Sequence, residues 1–240
     1  MIDARRSHSR EVVRHTVDGA FWGFAAQGMM VISGIATMGF VARSLSKDDY
    51  GRYALLLASV NWLIFSVSAV FGRSTIVFLS RSKDWESAAT TTLRWHIAGA
   101  GLAVVVYVVG GLLFPYFFDL GDRWKLLLLM AIEIPLSCVS HTYLITLAGR
   151  GLYRRRAMAM AARWAVRGIA VISLVAMGYG LTGAIIGCLL ASLAELIVGY
   201  WHARVPLFGK GVPIRDLLSM GTPLFIAAVL SRLCESMDLY

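Results

Sequence analysis

The chain has 240 residues, of which 58% are hydrophobic, with a mean hydropathy of +0.69 and a formal net charge of +9. This apolar content is far above that of a soluble globular protein, and it excludes most soluble enzymes and binding modules. A basic excess can indicate nucleic-acid binding, but here the basic residues lie mainly between apolar segments, so no nucleic-acid partner is expected.

Seven apolar segments follow one another along the chain. Each is close to the ~20 residues that a helix needs to cross a hydrocarbon core of ~30 Å. The first segment lacks a separate short apolar region with a cleavage site, so we interpret it as a membrane helix rather than a signal peptide. The sequence therefore predicts an all-α integral membrane protein with seven transmembrane helices, at 19–42, 53–80, 95–118, 126–149, 158–178, 183–203 and 217–238.

The basic residues are distributed unevenly between the two sides of the predicted membrane. If the N-terminus is cytoplasmic, the cytoplasmic gaps hold fourteen basic residues and the outer gaps hold five. Short cytoplasmic loops carry an excess of Lys and Arg in membrane proteins. We therefore expect a cytoplasmic N-terminus.

The longest predicted cytoplasmic loop, 202–216, contains two prolines and two glycines. It is typical of a linker between structural units. We expect residues 1–203 to form a six-helix membrane lobe, 204–216 a cytoplasmic linker, and 217–240 the first helix of a second lobe. Because a lone helix follows a closed unit of six, we expect a second unit to follow and the chain to be incomplete alone.

Motifs that carry enzyme chemistry are not found in the sequence. The three cysteines all lie in apolar segments, and the five histidines show no metal-ligand spacing, so no metal or cofactor is expected. A membrane glycosyltransferase or ligase is the enzyme alternative. The predicted outer loops, at 43–52, 119–125 and 179–182, are too short for a catalytic platform, so we expect a protein that is not an enzyme.

Several short motifs together resemble those of a transporter family. They are Leu45-Ser46 with Asp49-Tyr50-Gly51-Arg52-Tyr53, Phe71-Gly72, Gly180-Leu181-Thr182-Gly183-Ala184, and Met220-Gly221-Thr222-Pro223-Leu224 with Asp238. In these motifs the chain is similar to the polysaccharide-biosynthesis flippases of the MOP exporter superfamily, the Wzx-type translocators of lipid-linked oligosaccharides. The resemblance implies two six-helix lobes around a central cavity, and alternating access that carries a lipid-pyrophosphate-linked sugar outward.

The resemblance also implies a function, a location and partners. We expect a transporter half in the bacterial inner membrane that serves export of a polysaccharide such as O-antigen, exopolysaccharide or capsule. Its partners would be a lipid-linked oligosaccharide, membrane lipid, and a second half or a second copy of the chain. A multidrug or small-molecule exporter of the same superfamily remains an alternative, as does an inactive truncated membrane protein.

Two arginines inside apolar segments are candidate substrate-binding residues. Arg73 lies ~30 Å along the run 53–80, and Arg232 lies ~22 Å along the helix from Leu217. Ionisable side chains inside membrane segments are costly and are functional candidates by default. A guanidinium facing the cavity would bind a pyrophosphate through two parallel hydrogen bonds. The alternative for Arg73 is that its charge reaches the membrane surface.

Three further polar residues lie deep in the predicted helices. Gln27 and Asn61 could contact sugar hydroxyls, or form an interhelical hydrogen bond instead. Glu133 lies ~10 Å into the fourth helix, just before Pro135, and takes part either in proton coupling or in a structural pair.

Arg167 and Glu195 are predicted to form a structural ion pair. A tight turn at 180–183 would make the fifth and sixth helices antiparallel neighbours, and both residues lie fourteen residues from Leu181. Each is therefore ~21 Å below the turn. A charge that is costly alone in hydrocarbon is neutralised by its partner. Arg163, one turn nearer the cytoplasm, would share the carboxylate or reach the surface.

Overall fold

The computed structural model describes residues 2–81, 84–113, 124–209 and 211–213 and, within them, all side chains except those of 2–18, 20, 70, 71, 73, 74 and 81. No strand occurs among the described residues, so the all-α prediction is confirmed for them. The seventh predicted helix, which contains Arg232, lies outside the described residues. The helices are α1 (Ile2–Ser44), α2 (Lys47–Arg81), α3 (Trp85–Leu113), α4 (Trp124–Ala131), α5 (Glu133–Gly149), α6 (Tyr153–Leu174) and α7 (Gly180–Ala203).

Five helical stretches of the described chain are long and apolar enough to cross a membrane. They are Phe21–Ser44, Lys47–Ala69, Trp85–Leu113, Trp124–Gly149 and Tyr153–Ala203. The last has 51 residues, too many for one crossing, and it reverses direction in its middle. Together the five stretches overlap the first six predicted membrane helices, with ends that differ from the predicted ones.

The reversal lies between α6 and α7, at Val175–Tyr179. Gly178 and Gly180 have φ angles of 90° and 54°, which a residue with a Cβ rarely adopts. Farther from the turn, a Cβ on Gly187 would lie 2.8 Å from the backbone of Val171, so the two helices are in close contact there. The predicted antiparallel pairing of these helices is confirmed, but the turn is centred near Tyr179 rather than Leu181.

A break at Ile132 divides the fourth predicted helix into α4 and α5. The Ile132 N–H donates to Leu129 O at 3.3 Å, three residues back instead of four. Pro135 has no N–H and therefore leaves the Ala131 carbonyl without its helical donor, which breaks the hydrogen-bond ladder at this point. As a result Glu133 begins a new helix.

Helix α3 begins ten residues earlier than the sequence predicts. Its first turns contain a run of buried serine, alanine and threonine residues, and the Thr91 and Thr92 hydroxyls donate to carbonyls one turn back at 3.0 and 2.9 Å. Hydroxyls satisfied in this way can be buried without an apolar side chain. Residues 205–209 lie against this part of α3, since Thr90 donates to Pro206 O at 2.9 Å and Arg94 to Leu207 O at 3.1 Å.

Two groups of buried apolar side chains hold the lobe together. The larger has members on all seven helices, and its fully buried members include Tyr53, Met130 and Ile185. The smaller lies where α3 begins and α5 and α7 end, around Leu147 and Ala203. Between these two groups, polar residues of α5, α6 and α7 meet inside the lobe.

Candidate functional site

Arg163 of α6 joins two buried carboxylates from two other helices. Its Nη2 lies 3.1 Å from Oε1 of Glu133 on α5, and its Nη1 lies 2.8 Å from Oε2 of Glu195 on α7. The two glutamate side chains are 4% exposed and that of Arg163 is 21% exposed. One planar guanidinium can donate along two directions at once, so a single arginine bridges both glutamates.

Three serine hydroxyls also donate hydrogen bonds to these carboxylates. Ser137 donates to Oε1 of Glu133 at 3.0 Å, and Ser192 donates to the same oxygen. Ser140 donates to Oε2 of Glu195 at 2.9 Å. Every described donor to Glu133 therefore reaches Oε1, whereas its buried Oε2 has no hydrogen-bond partner among the described residues.

The prediction that Glu195 pairs with Arg167 is wrong, because the structure pairs Glu195 with a different arginine. Glu195 pairs with Arg163, one helical turn away along α6. The prediction placed the centre of the hairpin at Leu181, but the chain reverses near Tyr179. Moving the centre by two residues moves the partner of Glu195 by four, which is one turn of helix.

Arg167 has different neighbours. Its guanidinium lies 5.3 Å from the ring centre of Trp164, within the range of a cation–π contact, and its Nε has no hydrogen-bond partner among the described residues. Tyr53 and Cys188 are its electrostatic neighbours, and their side chains lie 3.4 Å apart. Among the described residues of this cluster, both ion pairs are therefore made by Arg163, and none is made by Arg167.

The serines of this cluster were missed from the sequence, although their spacing carried a signal. Glu133, Ser137 and Ser140 recur at intervals of four and three, which places them on one face of α5. Ser192 and Glu195 are three apart on α7 and share a face for the same reason. Polar residues at helical spacing inside an apolar helix indicate a polar face that points into the protein.

Two candidate substrate residues, Gln27 of α1 and Asn61 of α2, are not part of this cluster. Gln27 and Asn61 are both exposed, and neither forms an interhelical hydrogen bond with a described residue. Measured along the helix axes from Ser46, the residue between α1 and α2, Gln27 lies roughly 28 Å away and Asn61 roughly 22 Å away. The side chain of Arg73 and the whole of Arg232 lie outside what the structure describes.

An apolar groove of about 660 Å³ lies between α1 and α6. Met29, Ile32 and Trp164 are among its lining residues, and the Ser33 hydroxyl donates to Trp164 O at 2.6 Å beside it. Among the described residues no group of three or more metal-ligating side chains occurs.

The fold is shared with two transporters of known structure. The chain superposes on a MOP superfamily transporter from Pyrococcus furiosus with a TM-score of 0.73 and 15% identity, over 90% of this chain and 52% of that one. It superposes on an outward-facing multidrug resistance MATE family transporter of the MOP superfamily with a TM-score of 0.69 and 16% identity, over 85% of this chain and 50% of that one. The chain thus spans about half the length of these transporters and is a multi-pass membrane protein with their fold.

Sequence comparison gives a narrower grouping than the fold does. No curated protein sequence shows significant similarity to the chain. Residues 16–240, nearly the whole chain, match the family described as polysaccharide biosynthesis protein. The chain, with its helical fold and its buried Arg163 cluster, therefore belongs to the polysaccharide biosynthesis protein family.

Proposed function

We propose that this chain forms one lobe of a membrane transporter that moves a lipid-pyrophosphate-linked oligosaccharide across the bacterial inner membrane by alternating access, for export of a polysaccharide. Its N-terminus lies in the cytoplasm, it has no catalytic role, and the second lobe comes from another half or from a second copy of the chain. The observation that carries this proposal is the family match over residues 16–240.

The exposed amides of Gln27 and Asn61 support a transport path along α1 and α2. In the apolar 18-residue part of Phe21–Ser44, only 17% of the chain is buried inside the protein. The corresponding share is 22% for Lys47–Ala69, 28% for Trp85–Leu113 and 61% for Trp124–Gly149. Gln27 and Asn61 lie exposed on α1 and α2. An amide without a hydrogen-bond partner is costly in hydrocarbon, so these two side chains fit a polar cavity between two lobes better than they fit lipid.

Two arginines would recognise the charged part of the substrate. In the proposed transporter, Arg73 of α2 and Arg232 of the seventh helix bind the pyrophosphate, and Gln27 and Asn61 contact sugar hydroxyls. A guanidinium suits a phosphate because its donors are rigid and parallel, whereas a lysine is a single point charge.

Glu133 is the candidate for proton coupling. Its Oε1 accepts from Arg163 and two serines, and its Oε2 has no described donor, so Oε2 is the atom at which a proton would bind. Glu133→Gln keeps an oxygen for those donors, and we therefore expect it to fold. Proton release or uptake on substrate binding, measured in weakly buffered solution, should occur with the parent chain and be lost in Glu133→Gln; equal proton exchange in both would refute this role.

A multidrug exporter is the second candidate function. The apolar groove between α1 and α6 would suit an amphipathic drug, and one structural neighbour is a multidrug resistance transporter. The two candidates differ in the charge of the ligand, because an arginine-lined path favours an anion and disfavours an organic cation.

A binding measurement separates these two candidates. The 240-residue chain in nanodiscs is titrated with a polyprenyl diphosphate that carries a short oligosaccharide and, separately, with ethidium. We expect saturable binding of the diphosphate, weakened roughly tenfold or more by Arg73→Ala because a charge-assisted hydrogen bond is lost, and weakened less by Arg73→Lys. Saturable binding of ethidium without binding of the diphosphate would favour the exporter.

A further inference from the structure

A second cavity, of about 600 Å³, lies at the end of the bundle where α3 and α6 begin and α5 and α7 end. None of its lining residues belongs to α1 or α2, so it is separate from the proposed transport path. Four predicted cytoplasmic helix ends meet here. Its lining residues include Trp85, Glu86, Arg150, Arg155, Trp201 and Arg204.

The cavity carries an excess of positive charge. Arg150, Arg155 and Arg204 line it together with a single carboxylate, that of Glu86. Within the described chain, none of the three arginines forms a salt bridge. The guanidinium of Arg150 lies 3.9 Å from the ring centre of Trp85, which holds its charge beside the cavity. Three cations and one anion give the cavity an excess of positive charge, which suits a negatively charged group.

Arg204 occupies a backbone conformation that favours glycine. It follows the last residue of α7 with φ 45° and ψ 48°, and its N–H donates to Tyr200 O at 2.9 Å to close the helix. Glycine is the usual residue at a left-handed helix end, because it has no Cβ to strain. The backbone alone therefore does not account for an arginine here, whereas its charge adds the third cation to the cavity.

An apolar stripe leads away from the cavity along α7. Leu190, Leu193, Ile197 and Trp201 are 42%, 39%, 55% and 71% exposed. Their spacing of three and four residues places them on one face of the helix, over roughly 16 Å. Trp201 belongs both to the stripe and to the cavity lining. A molecule with an anionic head and an apolar chain matches both surfaces at once.

We propose that this cavity binds the phosphate headgroup of an anionic membrane phospholipid, whose acyl chain lies along the Leu190–Leu193–Ile197–Trp201 stripe. Basic pockets between membrane helices on the cytoplasmic side recognise such headgroups through the same charge complementarity. The lipid joins the ends of α3, α5, α6 and α7, and so stabilises the lobe independently of any transported substrate.

The test measures binding of phosphatidylglycerol to the purified 240-residue chain in nonionic detergent. Native mass spectrometry counts the bound lipid, and the rise in melting temperature with lipid concentration gives the apparent affinity. Each arginine removed should weaken the apparent affinity about fivefold, the equivalent of ~1 kcal/mol for a basic residue near an anionic lipid surface. We therefore expect Arg155→Gln and Arg204→Gly each to lower the apparent affinity for phosphatidylglycerol about fivefold.

Arg204→Gly separates binding from folding. Because glycine suits the left-handed backbone, its melting temperature without lipid should equal or exceed that of the parent chain while its affinity for phosphatidylglycerol falls. Arg154→Gln is the matched control: it removes the same charge from the neighbouring position, but Arg154 lies over Trp22 and does not line the cavity. It should bind phosphatidylglycerol as the parent chain does.

Three results would overturn the proposal. The first is equal weakening by Arg154→Gln and Arg155→Gln, which would mean a general charge effect. The second is full competition by sn-glycerol 3-phosphate at the concentrations at which phosphatidylglycerol binds, which would make the ligand a free phosphate. The third is tighter binding of a polyprenyl diphosphate that is lost in Arg204→Gly, which would make the cavity part of the substrate path.

Discussion

Replacing Arg163 with alanine removes the cation that holds two buried carboxylates in place. Glu133 and Glu195 would each lose their only described ion-pair partner while their side chains stay 4% exposed. Removing one partner of a buried ion pair costs about 3–5 kcal/mol, because the remaining charge is buried without compensation. Since the Arg163 side chain itself is 21% exposed, we expect the lower end, ~3 kcal/mol of unfolding free energy.

This loss of stability is measurable by thermal unfolding in a mild detergent, followed by circular dichroism. For a chain of this size ~3 kcal/mol corresponds to a fall in melting temperature of roughly 6–12 °C. Arg167→Ala is the matched control, because Arg167 lies one turn away on the same helix and makes no described ion pair. Its fall in melting temperature should be clearly smaller.

A double variant tests the ion pairs themselves. Glu195→Gln combined with Arg163→Ala should cost less than the sum of the two single changes, because the carboxylate stranded by the first change is absent. Additive costs, or a fall for Arg167→Ala as large as that for Arg163→Ala, would refute the assignment of Arg163 as the bridging cation.

Three further predictions follow from the fold and the sequence. A Cβ on Gly187 would lie 2.8 Å from the backbone of Val171, whereas a Cβ on Gly101 would have no atom within 4 Å. Gly187→Ala should therefore lower the unfolding free energy by about 1–3 kcal/mol, and Gly101→Ala should not. Equal effects of the two substitutions would contradict the close packing of α6 and α7. A cysteine at Lys47 should react with an impermeant maleimide added outside the cell, and labelling only from the cytoplasm would contradict the predicted orientation. The 240-residue chain alone in liposomes should not flip a lipid-linked oligosaccharide, because half a cavity exposes a polar path to lipid; flipping by a proven monomer would contradict this.

The helices of the lobe could be predicted from hydropathy because length and apolar content are what a bilayer selects. Their ends were less predictable. The start of α3 was missed since its buried threonines satisfy their hydroxyls locally, which no hydropathy count records. The break before Glu133 has a visible cause in Pro135, but the sequence does not show how far the ladder opens around it.

The buried cluster was predictable in kind and not in detail. Charges inside an apolar segment have to be paired, and this alone indicated a partner for Glu195 on the neighbouring helix. The choice between Arg163 and Arg167 depended on where the hairpin turns, and a shift of two residues changed the answer. That Glu133 shares the same guanidinium depends on the packing of α5 against α6 and α7, which the sequence does not specify.

The most direct test of the proposed function is photo-crosslinking of the path along α1 and α2. A photoreactive amino acid is placed at Gln27 or Asn61, and at Ile197 on α7 as a control, in membranes supplied with a radiolabelled polyprenyl-diphosphate oligosaccharide. We predict that positions 27 and 61 crosslink to this substrate and that position 197 crosslinks to phospholipid only. Crosslinking of positions 27 and 61 to phospholipid alone, with none to the oligosaccharide lipid, would contradict the proposal that these faces line a transport path.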